Sequence, residues 1–360
     1  MLSNLQNRFF PMPRFLSMPS FGLDISDESI KFIELVTARN GIKVNKYGEK
    51  KIEPGIIESG KIKDLVKLGE ILTELKRDEG IKSVRVSLPE EQVYLFRLRL
   101  EKINLTNIRE SIELSLEDHI PIPAEEVIFD YEILEEDNKY LDLEVTAITK
   151  SIIESYLSVF QNASISAQSF ELEAQAIIRS VLKKGDLGTY MIVDFGQRRT
   201  GISIVSRGIV TFTSTLDLGG ATLTDMVKKN FKISFEEAEK MKREYGLQRN
   251  NVNKELFLVL LNGVSILRDE ISKHFMYWHT HKEEDGKEMP SIRKIILCGG
   301  DSNLIGLSEY FSVSMKTKVE IADVWVNILD KEKFIPEMNF DTSLSFATAL
   351  GLALGGFYHD

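Results

Sequence analysis

The sequence predicts an α/β protein of two lobes facing a cleft, with a small α+β insert in the first lobe. Three observations carry that prediction. An apolar strand ends in an aspartate and a tight turn at "GLDISDESIK" (22–31), and the same plan returns at "MIVDFGQRRTGISIV" (191–205). The chain has 360 residues, enough for two cores rather than one. Strand-rich stretches are followed by helical ones in the order expected of sheets covered by helices.

Composition narrows the class. The chain is 43% apolar and 28% charged, as an ordinary globular protein is. Its net charge of -10 argues against nonspecific nucleic-acid binding, which needs a basic face. The single cysteine, Cys298, excludes an internal disulfide framework and fits a reducing compartment. No stretch approaches the ~20 apolar residues that span a bilayer; "LFLVLLNGV" (256–264) reads as a short buried-helix run. Residues 1–20 carry two arginines, no acids and three prolines. They lack the continuous apolar centre of a signal peptide. A mobile extension is expected there rather than a peptide that touches a membrane or partner. The chain is expected in the cytosol.

The first lobe begins at residue 21. Strands at 30–36 and 42–52 are joined at Asn40-Gly41, a strong hairpin signal. A helix over 63–80 follows, with Leu65, Leu68, Ile71, Leu72 and Leu75 at helical spacing and Gly80 as its stop. Residues 81–88 read as a buried strand and complete the segment 21–88. Residues 89–150 read as the insert: a strand at 92–100, a helix capped at Thr106, and strands at 127–134 and 140–148. Helices at 150–160 and 171–184 fill the segment 151–188. The second lobe, 189–342, adds an acidic helix at 234–245, a long helix at 254–279, a solvated loop at 281–291 and the strand "RKIILCGG". The final segment, 343–360, contains "SLSFATALGLALGG", whose Ala and Gly suit a closely packed helix.

The paired turns hold the chemistry. Asp24 and Asp194 each end an apolar strand, and Ser29 and Thr200 reopen the next one. Such turns present successive backbone N–H groups to an anion, and glycine lets phosphate oxygens come close. The aspartates would hold magnesium, or its water, beside the phosphate. Either turn alone is an ordinary hairpin; two of them 170 residues apart are far more specific. In "IILCGGDSNLIGL" (295–307), Gly299 and Gly300 would let a flat ring lie on the backbone, although the stretch alone equally suits a packed turn. Glu239 and Lys242 share a helix face and could reach a ribose and base edge; alone they are an ordinary surface ion pair.

Other motifs fall away. "GIIESGKI" (55–62) has a P-loop frame, but Ile62 stands where a magnesium-binding Ser or Thr is required. His274, His279 and His281 lie among aromatics without an acidic or cysteine partner at ligand spacing, which favours packing over metal binding. No GxGxxG follows a strand. Cys298 sits on a buried strand as an inert thiol.

The order of these parts resembles the actin-like ATPase superfamily, with its duplicated ribonuclease H-like fold. Within it the chain is most similar to the PilM family of type IV pilus assembly, relatives of FtsA. The likeness rests on "GLDISDESIK", "LEDHIPIPAEEVIFDYEIL", "TFTSTLDLGGATLT", "SFEEAEKMK" and "LCGGDSNLIGLSEYF", and covers nearly everything after residue 20. The resemblance implies ATP and magnesium as cofactors. Asp24 and Asp194 would be the metal-side aspartates. Ser26, Ser29, Lys31, Gly196, Arg198 and Thr200 would meet the phosphates. Gly219 and Gly220 would approach the nucleotide, Glu239 and Lys242 its ribose and base, and Gly299 and Gly300 its adenosine. Glu173 would orient an attacking water. The last helix would return to the first lobe.

The same resemblance implies a scaffold peripheral to the inner face of the cytoplasmic membrane. It would bind the short cytoplasmic tail of PilN near residues 90–134, alongside other pilus inner-membrane components, with self-association open. Nucleotide-dependent cleft closure would alter that groove. The chain departs from the family at Ser26, where a glycine is usual, and at Asp27 and Glu28, whose charges would repel a triphosphate. Arg198 and Arg199 could offset them. These departures weigh against efficient hydrolysis, leaving a slow ATPase at most. Alternative readings are an FtsA-like filament protein, for which a basic amphipathic terminal helix is missing, and a degenerate scaffold that binds no nucleotide. A sugar-kinase-like enzyme lacks a candidate base.

Overall fold

The computed structural model describes residues 20–38, 41–102, 105–249, 253–282, 288–328 and 338–357. The N-terminal extension up to residue 19, and Asn40 of the hairpin turn, lie outside the described residues.

In the first lobe, β1 (Phe21–Ile25), β2 (Ser29–Ala38) and β3 (Gly41–Lys51) run antiparallel in succession. A short hairpin, β4 (Ile57–Glu58) and β5 (Lys61–Ile62), leads into α1 (Leu65–Glu79). Asp64 caps α1 by accepting from the Lys67 N–H, and Gly80 ends it in a left-handed conformation at φ 76°. Leu68, Leu72 and Leu75 bury one face, as their spacing requires. β6 (Ser83–Leu88) then pairs parallel to β1.

The chain next builds a separate three-stranded sheet from β7 (Val93–Glu101), β8 (Val127–Glu136) and β9 (Tyr140–Thr149), ordered β7-β9-β8. Between the first two strands, α2 (Ile108–His119) lays Ile108, Ile112 and Leu116 on Leu141, Leu143 and Val145. Its N-cap is Asn107, not Thr106. Thr106 sits inside a one-turn 3-10 helix, Leu105–Asn107, which tightens the entry and delays the α-helix.

After α3 (Lys150–Asn162), the stretch expected to be helical from 171 is split. Residues Ser166–Leu172 form β10, parallel to β6, and α4 is the shorter Glu173–Val181. The strand's run of small and polar residues hid it, because both its faces are only partly covered.

The second lobe repeats the first. β11 (Thr189–Phe195), β12 (Thr200–Ser206) and β13 (Ile209–Leu216) run antiparallel, followed by α5 (Gly220–Phe231), α6 (Phe235–Tyr245) and α7 (Lys254–Thr280). β14 (Ile295–Cys298) pairs parallel to β11, and after α8 (Leu307–Met315) β15 (Val319–Ile321) pairs parallel to β14. The two five-stranded sheets therefore read β10-β6-β1-β2-β3 and β15-β14-β11-β12-β13, one topology used twice. In both, the strand after the central hairpins can lie parallel only by way of a helical crossover.

After α9 (Phe340–Leu344), the last helix, α10 (Ala347–Gly355), packs on β1 and α4 of the first lobe. Backbone meets backbone there. A Cβ on Gly22 would lie 1.9 Å from the Ala349 carbonyl oxygen, and one on Gly351 would lie 1.7 Å from that of Ala176. That approach explains the Ala and Gly of this segment. A shared core of Ile33, Ile192, Ile296 and Leu350 joins the lobes beneath the cleft.

Candidate functional site

The cleft between the lobes encloses about 800 Å³ and opens over the two central hairpins. Its walls include Asp24, Ser26, Ser29 and Lys31 from the first lobe, and Asp194, Gly196, Arg198, Arg199, Gly299 and Gly300 from the second. Glu90 and Glu173 complete the floor.

Asp24 and Asp194 reach it by the same route. Asp24 pairs in register with Lys31, and Asp194 with Gly201. This register corrects one equivalence: Thr200 matches Ile30, whereas Ser29 matches Arg199. The Ser87 hydroxyl donates to Asp24 Oδ1 at 2.9 Å. Gly299, at φ 88°, passes so close to Asp194 that a Cβ would lie 2.4 Å from its carboxylate.

The floor is acidic. Burial raises the Asp194 carboxyl to about 6, with the charge of Asp24 adding to it and Lys31 opposing. Burial raises Asp24 as well, against the pull of Lys31. Glu173 opens α4 and is pushed well up by burial, then by Asp24, Glu90 and Asp194. Glu90 had no motif to mark it. It follows β6, accepts from the Ala174 N–H at 2.9 Å, and is raised by its burial against that bond. The sequence signal was an acidic residue directly after a buried strand and Pro89, too common to stand out. Cys298 lies against Asp194, and burial holds its thiol protonated.

Asp24 and Asp194, the two carboxyls that Lys31 attracts, share its single charge, which leaves room for a further cation. No three His, Cys, Asp or Glu side chains among the described residues converge as direct metal ligands. Asp24 and Asp194 supply carboxylate oxygens of the kind a hydrated divalent ion takes.

The two hairpin turns are tied to themselves. In the first, the Ser26 hydroxyl accepts from the N–H of Glu28 at 3.4 Å and of Ser29 at 3.2 Å. In the second, the Gly196 N–H donates to the Arg199 carbonyl at 2.9 Å. Thr200 is fully buried and donates to the Leu218 carbonyl at 2.6 Å, so its hydroxyl is engaged behind the cleft wall. Gly219 and Gly220 also serve packing. A Cβ on Gly219 would strike the Gln197 carbonyl oxygen at 2.4 Å, and one on Gly220 the Asp301 carboxylate at 2.0 Å.

The acids of the first turn cross to the second lobe. Glu28 pairs with Arg198, and Asp27 with Arg199 at 2.5 Å. The two arginines do offset the two acids, by direct contact.

At the far end of the cleft, Lys242 is buried and donates to Asp301 at 2.6 Å and to the Gly220 carbonyl at 3.1 Å. Glu239 accepts from Thr224 at 2.5 Å and from Lys242 at 2.9 Å. Burial opposes its charge, yet bonds from Thr224, Lys242 and Arg243 hold its carboxyl down at about 2. Glu239 and Lys242 thus form an internal network with Asp301 rather than an exposed pair. The three histidines lie elsewhere, each against a ring: His274 on Phe212, His279 on Phe275, His281 on Tyr277.

With this geometry established, comparisons place the chain among known proteins. The model of the family described as type IV pilus assembly protein PilM matches residues 22–357. The cell division protein FtsA of Staphylococcus epidermidis is 23% identical over 352 residues, covering 83% of this chain and 73% of that one. The fold matches a solved PilM-PilN type IV pilus biogenesis complex with a TM-score of 0.80 at 20% identity, covering 95% of this chain and 100% of the other. It also matches MreB 5 of Spiroplasma citri, solved bound to AMPPNP, with a TM-score of 0.57 at 14% identity over 92% of this chain and 94% of that one. The fold is actin-like. No helix among the described residues is long and apolar enough to cross a membrane.

Proposed function

This chain belongs to the type IV pilus assembly protein PilM family, and from that membership we propose that it is a cytoplasmic scaffold binding the N-terminal tail of a PilN-like inner-membrane protein, its interlobe cleft taking ATP with magnesium. The observation that carries the nucleotide half is the doubled aspartate station, Asp24 and Asp194, at the floor of one cleft. Asp24 and Asp194 would hold the ion through water, Lys31 would face the phosphates, and Glu173 would orient water. Magnesium, when bound, offsets phosphate charge and the buried carboxylates together. Gly299 and Gly300 would lie beside the adenosine.

For the partner half, the insert offers a fitting surface. Its strand β8 pairs on one side with β9 and exposes Ile128 and Ile133. Ile128 stands opposite Ile148, which packs with Leu88 and Ile153 at the seam with the first lobe. An apolar tail could lie along this seam, so that cleft closure shifts the relative stability of its bound form.

Titration of a labelled synthetic tail peptide of the PilN-like partner, with and without Mg-ATP, tests the reading. Saturable binding whose affinity changes with Mg-ATP supports it. A tail that fails to bind in either condition ends the scaffold assignment.

A further inference from the structure

The turn between β4 and β5 belongs to the glycine-bearing stretch that fails as a P-loop, yet it holds an anion. Ser59 and Gly60 are consecutive left-handed residues, at φ 50° and 72°. Successive residues in a turn of this kind aim their N–H groups at one point and form an anion-binding nest. Here the occupant is the Asp27 carboxylate: Oδ2 accepts from the Ser59 N–H and Oδ1 from the Gly60 N–H, both at 3.1 Å. Arg199, from the opposite lobe, closes the ring on Oδ2 at 2.5 Å.

The turn is braced from behind. The Tyr156 hydroxyl donates to the Gly60 carbonyl at 3.1 Å, and the Gln92 amide to the Ser59 carbonyl at 2.9 Å. A side chain at residue 60 is barred twice, by its φ and by Pro89, which would lie 2.2 Å from a Cβ. Gly60, Pro89, Asp27 and Arg199 all line the cleft. Arg199 also touches Glu91 and lies 3.7 Å from the exposed Asp217.

Two fixed N–H donors and a guanidinium around one point are the equipment of a phosphate site. We propose that Ser59, Gly60 and Arg199 form a site for the outer phosphate of a bound nucleotide, and that Asp27 occupies it as an internal competitor. This rests on the nucleotide reading above. Because Asp27 belongs to the first lobe and Arg199 to the second, the plug also holds the lobes together in the absence of ligand. A phosphate that enters displaces Asp27 from Arg199 and replaces that interlobe bridge with another, while the Glu28–Arg198 pair stays.

The test is calorimetric titration of the full chain with Mg-pyrophosphate and with Mg-ATP. Asp27→Ala vacates the nest, with Asp27→Ser as the alternative should Asp27→Ala not fold. Asp217→Asn removes the same charge from the same arginine while leaving the nest plugged. Pyrophosphate affinity is expected to rise roughly tenfold or more in Asp27→Ala and less than about threefold in Asp217→Asn. Adding Arg199→Gln to Asp27→Ala should return it to the starting level. No gain in Asp27→Ala, or an equal gain in Asp217→Asn, overturns the proposal. A gain for pyrophosphate with no ATP binding keeps the nest and removes the nucleotide reading. ATP binding by the unaltered chain with no gain in Asp27→Ala does the reverse.

Discussion

Asp24 and Asp194 hold the same station in two copies of one sheet: each is the penultimate residue of the central strand, opposite the residue seven positions on, Lys31 in one lobe and Gly201 in the other. The duplication puts two carboxylates into one cleft, and Glu90 and Glu173 join them. Only one of the copies supplies a cation, Lys31. The second has glycine there, which leaves room beside the Asp194 side chain, 3.7 Å from where a Cβ would stand.

This arrangement costs stability as pH rises. Below about pH 4 Asp194 is protonated in the folded and unfolded chains alike. Between there and its folded value of about 6, the unfolded chain ionises while the folded one holds its proton, so stability falls with rising pH. Above that the full penalty is present, about 3 kcal/mol. Asp194→Asn should therefore raise the Tm at pH 8 and leave it nearly unchanged at pH 4. Magnesium should raise the unaltered chain's Tm more at pH 8 than at pH 5. Equal shifts at both pH values would contradict the buried-charge account.

The contact between α10 and α4 predicts a second result. Gly351→Ala places a methyl 1.7 Å from the Ala176 carbonyl oxygen, a backbone atom that cannot swing aside. The helix must move, at a cost of about 3 kcal/mol. Urea unfolding should show a correspondingly lower midpoint; an unaltered midpoint would mean the helix is not seated there.

Lys242 and Asp301 form a buried pair, and removing one partner strands the other. Lys242→Met should destabilise the second lobe by roughly 3 kcal/mol. Adding Asp301→Asn to it should recover part of that loss, because a neutral amide no longer needs a counter-charge. If Lys242→Met melts like the parent chain, the pair is solvated and open to a ligand.

Much of this was legible in the sequence, for identifiable reasons. The repeated strand-aspartate-turn plan announces the duplication because β1 and β11 carry the same apolar run into the same hairpin. The acids Asp27 and Glu28 and the arginines Arg198 and Arg199 announced their compensation by charge alone. What stayed hidden depended on distant partners. β10 was masked because a register shift between Ala167 and Ser169 interrupts its alternation and α4 follows without a break. Glu90 becomes distinctive only where the N-terminus of α4 meets it. Thr200, Gly219 and Gly220 matched a ligand-binding pattern, yet their neighbours are Leu218, Gln197 and Asp301. Residues beside a cleft and residues behind its wall look alike in one dimension.

The central claim is that the doubled aspartates serve a magnesium nucleotide in the cleft. Calorimetric titration of Mg-ATP into the chain and into its Asp194→Asn variant tests it most directly, since the variant is expected to be at least as stable as the parent. The account predicts saturable, magnesium-dependent binding by the parent, weakened roughly tenfold or more in the variant. Absence of binding at millimolar Mg-ATP, or equal binding by both, would contradict it.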